Sequence, residues 1–147
     1  MNIYFACSIT GGRQDESAYQ AIVTALLADG HEVPTAGLSR PEIMAMERLT
    51  AAQEVYARDT AWIEACDVLV AEVSTPSHGV GYEISYALSK GKPVLCCYRQ
   101  GVSVSKMITG NSDPHLQAHP YSSHADATRI IQAFLENLPY KGDPVGG

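Results

Sequence analysis

No apolar run in this chain approaches the ~18 residues needed to cross a bilayer, and Met1-Asn2-Ile3-Tyr4 leads into a strand pattern with no positively charged leader. Neither a membrane partner nor an export signal is expected. Basic residues are also scarce, with 10 Lys and Arg against 16 Asp and Glu for a formal net charge of −6, and the basic residues form no cluster. A nucleic-acid polymer, whose binding rests on neutralising many phosphates, is therefore not an expected partner, although a small phosphorylated ligand is compatible with this balance. The four cysteines, Cys7, Cys66, Cys96 and Cys97, contain no C-x-x-C spacing, and three lie in or beside apolar strand patterns. They read as buried reduced thiols of a cytoplasmic protein. The five histidines are scattered; His115 and His119 are four apart, but Pro114 and Pro120 argue against one helix face. Neither a metal nor a cofactor is expected.

What is present fits one domain spanning residues 1–140, large enough to bury a core without staples, with residues 141–147 expected to be a disordered tail. Residues 3–9 form an apolar run of strand length, followed by Thr10-Gly11-Gly12-Arg13 and a helical pattern over 15–29. That helix places Tyr19, Ile22, Val23, Leu26 and Leu27 on one stripe, with Gly30 as its stop. Residues 31–34 read as a short second strand at an edge, because Pro34 cannot donate to a ladder. From 35 to 49 the pattern is poor, and either a lid or a surface loop with a short helix suits it. In the next helix Thr50 and Gln53 have capping-box spacing, and Asp59 falls on a stripe with Val55, Trp62 and Ile63. An unpaired buried carboxylate is costly, so Asp59 needs a partner, such as Arg58 or Arg13, or a chemical task.

The remaining chain is organised around Ala71-Glu72-Val73-Ser74-Thr75-Pro76-Ser77-His78-Gly79-Val80-Gly81-Tyr82-Glu83. A β-branched strand over 67–73 breaks at Pro76 and leads, through small residues, to a helix over 82–90. Such a helix start offers unpaired N–H donors to a phosphate. The glycines read G-x-G-x-E, which is not the dinucleotide fingerprint, and no P-loop lysine follows. Glu83 could simply complement the helix dipole. A carboxylate beside a phosphate site is more readily explained as a nucleophile or base. Strands at 93–98 and 116–121 and a Ser123-capped helix with Ala127, Ile130, Ile131, Phe134, Leu135 and Leu138 inward complete the pattern. The alternation implies a flavodoxin-like or Rossmann-like three-layer α/β sandwich around a five-stranded parallel sheet, with ligands beyond the carboxyl ends of the strands.

The segments Tyr4-Phe5-Ala6-Cys7-Ser8-Ile9-Thr10-Gly11-Gly12-Arg13, Arg58-Asp59-Thr60-Ala61-Trp62 and Ala71 to Glu83 together resemble the 2′-deoxynucleoside 5′-monophosphate N-hydrolase branch of the nucleoside 2-deoxyribosyltransferase superfamily. The resemblance runs from Ile3 to about Leu138. It implies that Glu83 is the nucleophile on the anomeric carbon, Asp59 the acid or hydroxyl-orienting partner, and Tyr4 a hydrogen-bonding partner of the nucleophile. It further implies that Ser8, Ile9, Thr10, Gly11, Arg13 and Met107 contact substrate and that Ser77 and Gly79 bind the 5′-phosphate. Ser105 would reach the phosphate across a dimer interface, so a homodimer is implied. Where those hydrolases carry a basic residue before Gly-Gly-Arg, this chain has Thr10, which leaves base preference and the choice between ribose and deoxyribose open. Two other functions compete. A deoxyribosyltransferase would pass the same intermediate to a second base, but residues 143–147 show no equivalent of the C-terminal group such enzymes use. A non-catalytic nucleotide-binding module would leave Asp59 without a purpose.

Overall fold

The computed structural model describes residues 1–9, 14–40 and 42–139. Thr10, Gly11, Arg13 and the tail therefore lie outside the described residues. Four parallel strands, β1 (Ile3–Ala6), β2 (Val68–Glu72), β3 (Val94–Arg99) and β4 (Leu116–Tyr121), pair in the order β1-β2-β3-β4. In β1 and β2 every residue is buried, as expected for strands covered on both faces.

The expected fifth strand is not formed. Residues 31–34 contribute only one parallel bridge, Asn2 to Glu32, on the free side of β1. Pro34 ends the pairing, and the buried Thr35 hydroxyl takes its place: Oγ1 accepts the Phe5 N–H at 3.0 Å and donates to the Phe5 carbonyl at 2.8 Å. A side chain thus satisfies the backbone groups that a longer strand would have paired.

Helices α1 (Glu16–Ala28) and α6 (His124–Glu136) cover one face of the sheet, packing Tyr19, Ile22, Leu26, Ala127, Ile131 and Leu135 against Ile3, Phe5, Val68 and Val70. Leu27, expected inside, is exposed, because the buried arc of α1 closes at Val23 and Leu26. The other face carries α3 (Ala52–Ala65) and α4 (His78–Ser89), with Ile63, Val80, Ile84 and Ala87 against Tyr4, Ala6, Leu69 and Ala71. Between α1 and α3 lie a 3-10 turn at Ala36–Ser39 and the short helix α2 (Ile43–Leu49); α5 (Lys106–Thr109) follows β3. All four cysteines are buried and unbridged.

Local signals set the helix ends. Gly30 (φ +85°) and Gly91 (φ +71°) occupy the left-handed region after α1 and α4. Each is followed by an N–H that reaches back, His31 to the Leu26 carbonyl at 3.2 Å and Lys92 to the Ala87 carbonyl at 3.0 Å. Ser123 caps α6 by accepting from Asp126 N–H at 3.0 Å. The capping box expected at Thr50 is absent: α3 begins at Ala52, and the Thr50 hydroxyl donates to the Met46 carbonyl at 2.9 Å, closing α2 instead of opening α3.

Glu72, at the end of β2, is fully buried on the α1/α6 face. Its carboxylate accepts the Ser74 N–H at 2.6 Å, the Ser74 hydroxyl at 2.9 Å and the Tyr121 hydroxyl. Burial raises its pKa, and these donors oppose the rise. The network anchors Ser74, the second residue of the loop that leads from β2 to α4, since Ser74 Oγ also accepts the Arg99 N–H of β3 at 2.8 Å.

Candidate active site

The β2–α4 loop ends at Ser77, whose extended backbone and hydroxyl cap α4 by accepting the Val80 N–H at 3.3 Å. The helix therefore starts four residues earlier than the sequence pattern indicates, and Gly79 lies inside its first turn. Glu83 consequently sits in the second turn, one turn after Gly79 and on the same face, not in the first turn where it would complement the dipole. A Cβ added at Gly79 would stand 3.7 Å from Glu83 Oε1 and 3.9 Å from Ser77 Oγ. The missing side chain keeps clear the space between the cap hydroxyl and the carboxylate.

Tyr4 points from β1 to the α3/α4 face, and its hydroxyl donates to Glu83 Oε2. The orientation of this side chain, open from sequence alone, follows from strand alternation: Ile3 and Phe5 face α1, so Tyr4 faces α4. Burial pushes the Glu83 carboxyl up to about 7; the Tyr4 bond opposes this and the nearby Asp59 charge adds to it. The Tyr4 hydroxyl is itself raised far above its ordinary value, first by burial and then by the Glu83 charge, so it serves as a donor and not as an acid.

Asp59 lies on α3 with its side chain 17% exposed, and it shares with Glu83 a cavity of about 610 Å³ also lined by Ile9, Glu47, Val55, Tyr56, Gly79 and Tyr82. Of the stripe expected on α3, only Ile63 is fully buried; Val55 and Asp59 face the cavity. Asp59 has a partner, as Arg58 Nε donates to Oδ1 at 2.8 Å. Burial raises the Asp59 pKa and the Arg58 contact lowers it, with a net upward shift.

Ser8 is fully buried beside the strand exit, and its hydroxyl has no hydrogen-bond partner among the described residues. Ser105 caps α5 by accepting from Met107 N–H at 3.2 Å; Ser105 and Met107 are exposed and do not line the cavity of Glu83. The structure thus brings together Tyr4, Ile9, Asp59, Gly79 and Glu83, and leaves Ser105 and Met107 apart. Glu47 and Tyr56 also line the cavity although no motif marks them, and Tyr82 lines it from its place next to Glu83 in the organising stretch. A larger cavity of about 970 Å³ at the opposite end of the sheet, around Met1, His31, Asp67 and Gln132, contains none of these groups. Among the described residues no cluster of His, Cys, Asp and Glu could hold a metal, and no helix is long and apolar enough to cross a membrane.

Asp59 and Glu83 sharing one cleft, with the buried Tyr4 hydroxyl donating to Glu83, at the carboxyl ends of a parallel sheet, form the equipment of a glycosyl-transferring or glycosyl-hydrolysing α/β protein. The chain belongs to the nucleoside 2-deoxyribosyltransferase family, whose model matches residues 3–131. Among its relatives, the 5-hydroxymethyl-dUMP N-hydrolase of Mus musculus is 38% identical over 143 residues, covering 94% of this chain and 82% of that protein. The Danio rerio protein of the same name is 39% identical over 142 residues, with 94% and 98% covered. A Methanosarcina mazei protein, named as a candidate 2′-deoxynucleoside 5′-phosphate N-hydrolase, is 40% identical over 137 residues, with 93% and 85% covered. The solved structure of a Clostridium botulinum CMP N-glycosidase superposes with a TM-score of 0.69 at 17% identity, covering 90% of this chain and 98% of that one, and shares the fold.

Proposed function

We propose that this chain is an enzyme that hydrolyses the N-glycosidic bond of nucleoside or 2′-deoxynucleoside 5′-monophosphates, releasing free base and the sugar 5-phosphate. The observation that carries the reading is the Glu83 carboxylate, bonded by Tyr4 and sharing its cleft with Asp59. The names of the relatives supply the substrate class.

Glu83 is the nucleophile. Its Oε1, the oxygen not bonded to Tyr4, attacks the anomeric carbon as the bond to the base nitrogen breaks and its electron pair leaves with the base. The base takes up one proton, from Asp59 if that side chain is the acid, or from water if Asp59 instead orients a sugar hydroxyl. Water then attacks the anomeric carbon, the ester breaks, Glu83 is regenerated and one proton returns to solvent. Ser77 and the free N–H groups of His78 and Gly79 at the start of α4 bind the 5′-phosphate. Binding energy from that remote group positions the sugar over Glu83. By the family resemblance, Ser8, Ile9, Thr10, Gly11 and Arg13 are assigned to substrate binding; of these, Ile9 lines the cavity of Glu83. Ser105, exposed here, completes the neighbouring site in a homodimer, and the exposed Met107 is assigned to substrate binding. The working unit is residues 1–140, in the cytoplasm, where buried thiols stay reduced.

The test is to incubate each monophosphate and its nucleoside separately, with and without a free acceptor base, and to follow base release. Hydrolysis of monophosphates alone is expected, with none for Glu83→Ala. Turnover of nucleosides only when an acceptor base is present would overturn hydrolysis in favour of transfer. Intact nucleotides throughout would leave a binding module.

A further inference from the structure

Three carboxylates, Glu47, Asp59 and Glu83, line the cleft, and among the described residues one guanidinium is bonded into the group. Arg58 donates from Nε to Asp59 Oδ1 at 2.8 Å and from Nη2 to Glu47 Oε1 at 3.0 Å. Consecutive residues on a helix do not face each other, so this contact between neighbours needs the arginine stem to be held against the helix surface. Two anchors hold it. Glu47 reaches in from α2 with its side chain only 11% exposed, and Trp62, one turn along α3, lies under the guanidinium with 5.1 Å between the central carbon and the ring centroid.

We propose that Arg58 is a positioning residue that keeps Asp59 a carboxylate aimed into the cleft, so that Asp59 accepts a hydrogen bond from a sugar hydroxyl and is not the acid, with Glu47 setting how firmly Arg58 is held. This rests on the function proposed above and decides between the two roles left there for Asp59. Oδ1 is occupied by Arg58, whereas Oδ2 has no hydrogen bond among the described residues and remains for substrate. The leaving base then draws its proton from water.

The groups that act on Asp59 are Arg58 on its own helix, Glu47 from α2, Glu83 from α4 and Tyr4 from β1, and Arg48 from α2, Tyr56 from α3 and Tyr82 from α4 line the same cavity. Arg58 lowers the pKa of both Asp59 and Glu83, and Glu47 raises both. Burial works against the Arg58 charge, but its two carboxylate partners more than offset that. The two halves of one ion pair therefore act on the site with opposite signs.

That opposition separates positioning from mere tethering. The Asp59 side-chain carboxyl is titrated by carbon-13 NMR in the parent, Arg58→Gln and Glu47→Gln, and kcat/KM for a monophosphate is measured against pH in the same proteins. Arg58→Gln is expected to move the Asp59 titration and the acidic limb of kcat/KM upward by roughly one pH unit, the low end for a lost opposite charge at a partly exposed site. Glu47→Gln is expected to move both downward, by less. Arg58→Lys, which keeps the charge without the planar fork, should hold the titration near the parent while lowering kcat. Two variants that both lose thermal stability and leave the Asp59 titration in place would mean a tether only and would overturn the proposal. A rise in kcat/KM at pH 7 in Arg58→Gln would make Asp59 the acid and overturn it as well. A parent inactive on every monophosphate would refute the proposed function instead, while the carboxyl titration, which needs no turnover, would still decide the role of Arg58.

Discussion

Tyr4→Phe removes one oxygen from a buried ring and with it the donor to Glu83 Oε2, leaving the packing of β1 against α4 in place. The Glu83 carboxyl, already raised to about 7 by burial, then loses the hydrogen bond that favours its ionised form. A hydrogen bond to a charged group contributes ~1.5–3 kcal/mol, equivalent to ~1–2 pH units at 1.36 kcal/mol each. The acidic limb of kcat/KM, which reports the free enzyme, should therefore move from near 7 to roughly 8–9. At pH 7 the ionised fraction of Glu83 falls from about one half to between ~1% and ~10%, so kcat/KM should drop roughly 5- to 50-fold, with most of the loss recovered by pH 9. The assay is base release from a monophosphate across pH 5.5 to 9.5, with circular dichroism confirming the fold. A limb that stays in place, or a loss equal at every pH, would refute the claim that Tyr4 acts by holding Glu83 ionised.

Glu83→Gln should lose turnover yet gain stability in alkaline solution. A carboxyl whose folded pKa of about 7 exceeds its ordinary 4.5 contributes most stability below 4.5 and loses it as pH rises through 7. The neutral amide escapes that loss. Discounted for partial exposure, the gain is about 1–3 kcal/mol at pH 8 and close to nothing at pH 5, read as Tm at the two pH values; a lower Tm at pH 8 would contradict it. Ser77→Ala should raise KM for monophosphates and also cost about 1 kcal/mol through the lost cap, whereas Ser77→Gly should raise KM similarly at a cost of only a few tenths. An unchanged KM in both would remove the hydroxyl from phosphate binding. Tyr121→Phe takes a hydrogen-bond donor from the buried Glu72 and should destabilise the fold by ~1–3 kcal/mol. Equal denaturant midpoints for parent and variant would show that the bond contributes nothing net.

Much of this protein is written locally. The apolar stripe of α6, the glycine stops after α1 and α4 and the buried run of β2 follow from periodicity and φ preference, which act within a few residues. The three motifs were enough to point to the family that the matched model then showed. Tertiary structure decided the rest, because the deciding contacts lie far apart in the chain. Thr35 supplanted a strand by bonding Phe5, 30 residues away, which a short segment ending in proline does not signal. Tyr4 reached Glu83 across 79 residues only because strand alternation and the placement of α4 agreed. Ser77, in an extended conformation, started α4 early and moved Glu83 from a dipole position into the second turn. Glu47, in a segment with poor pattern, joined Arg58 and Asp59 only once α2 packed beside α3. Which residues could ionise was evident from the sequence alone; how each one is tuned depends on burial and on partners that only the packed chain supplies.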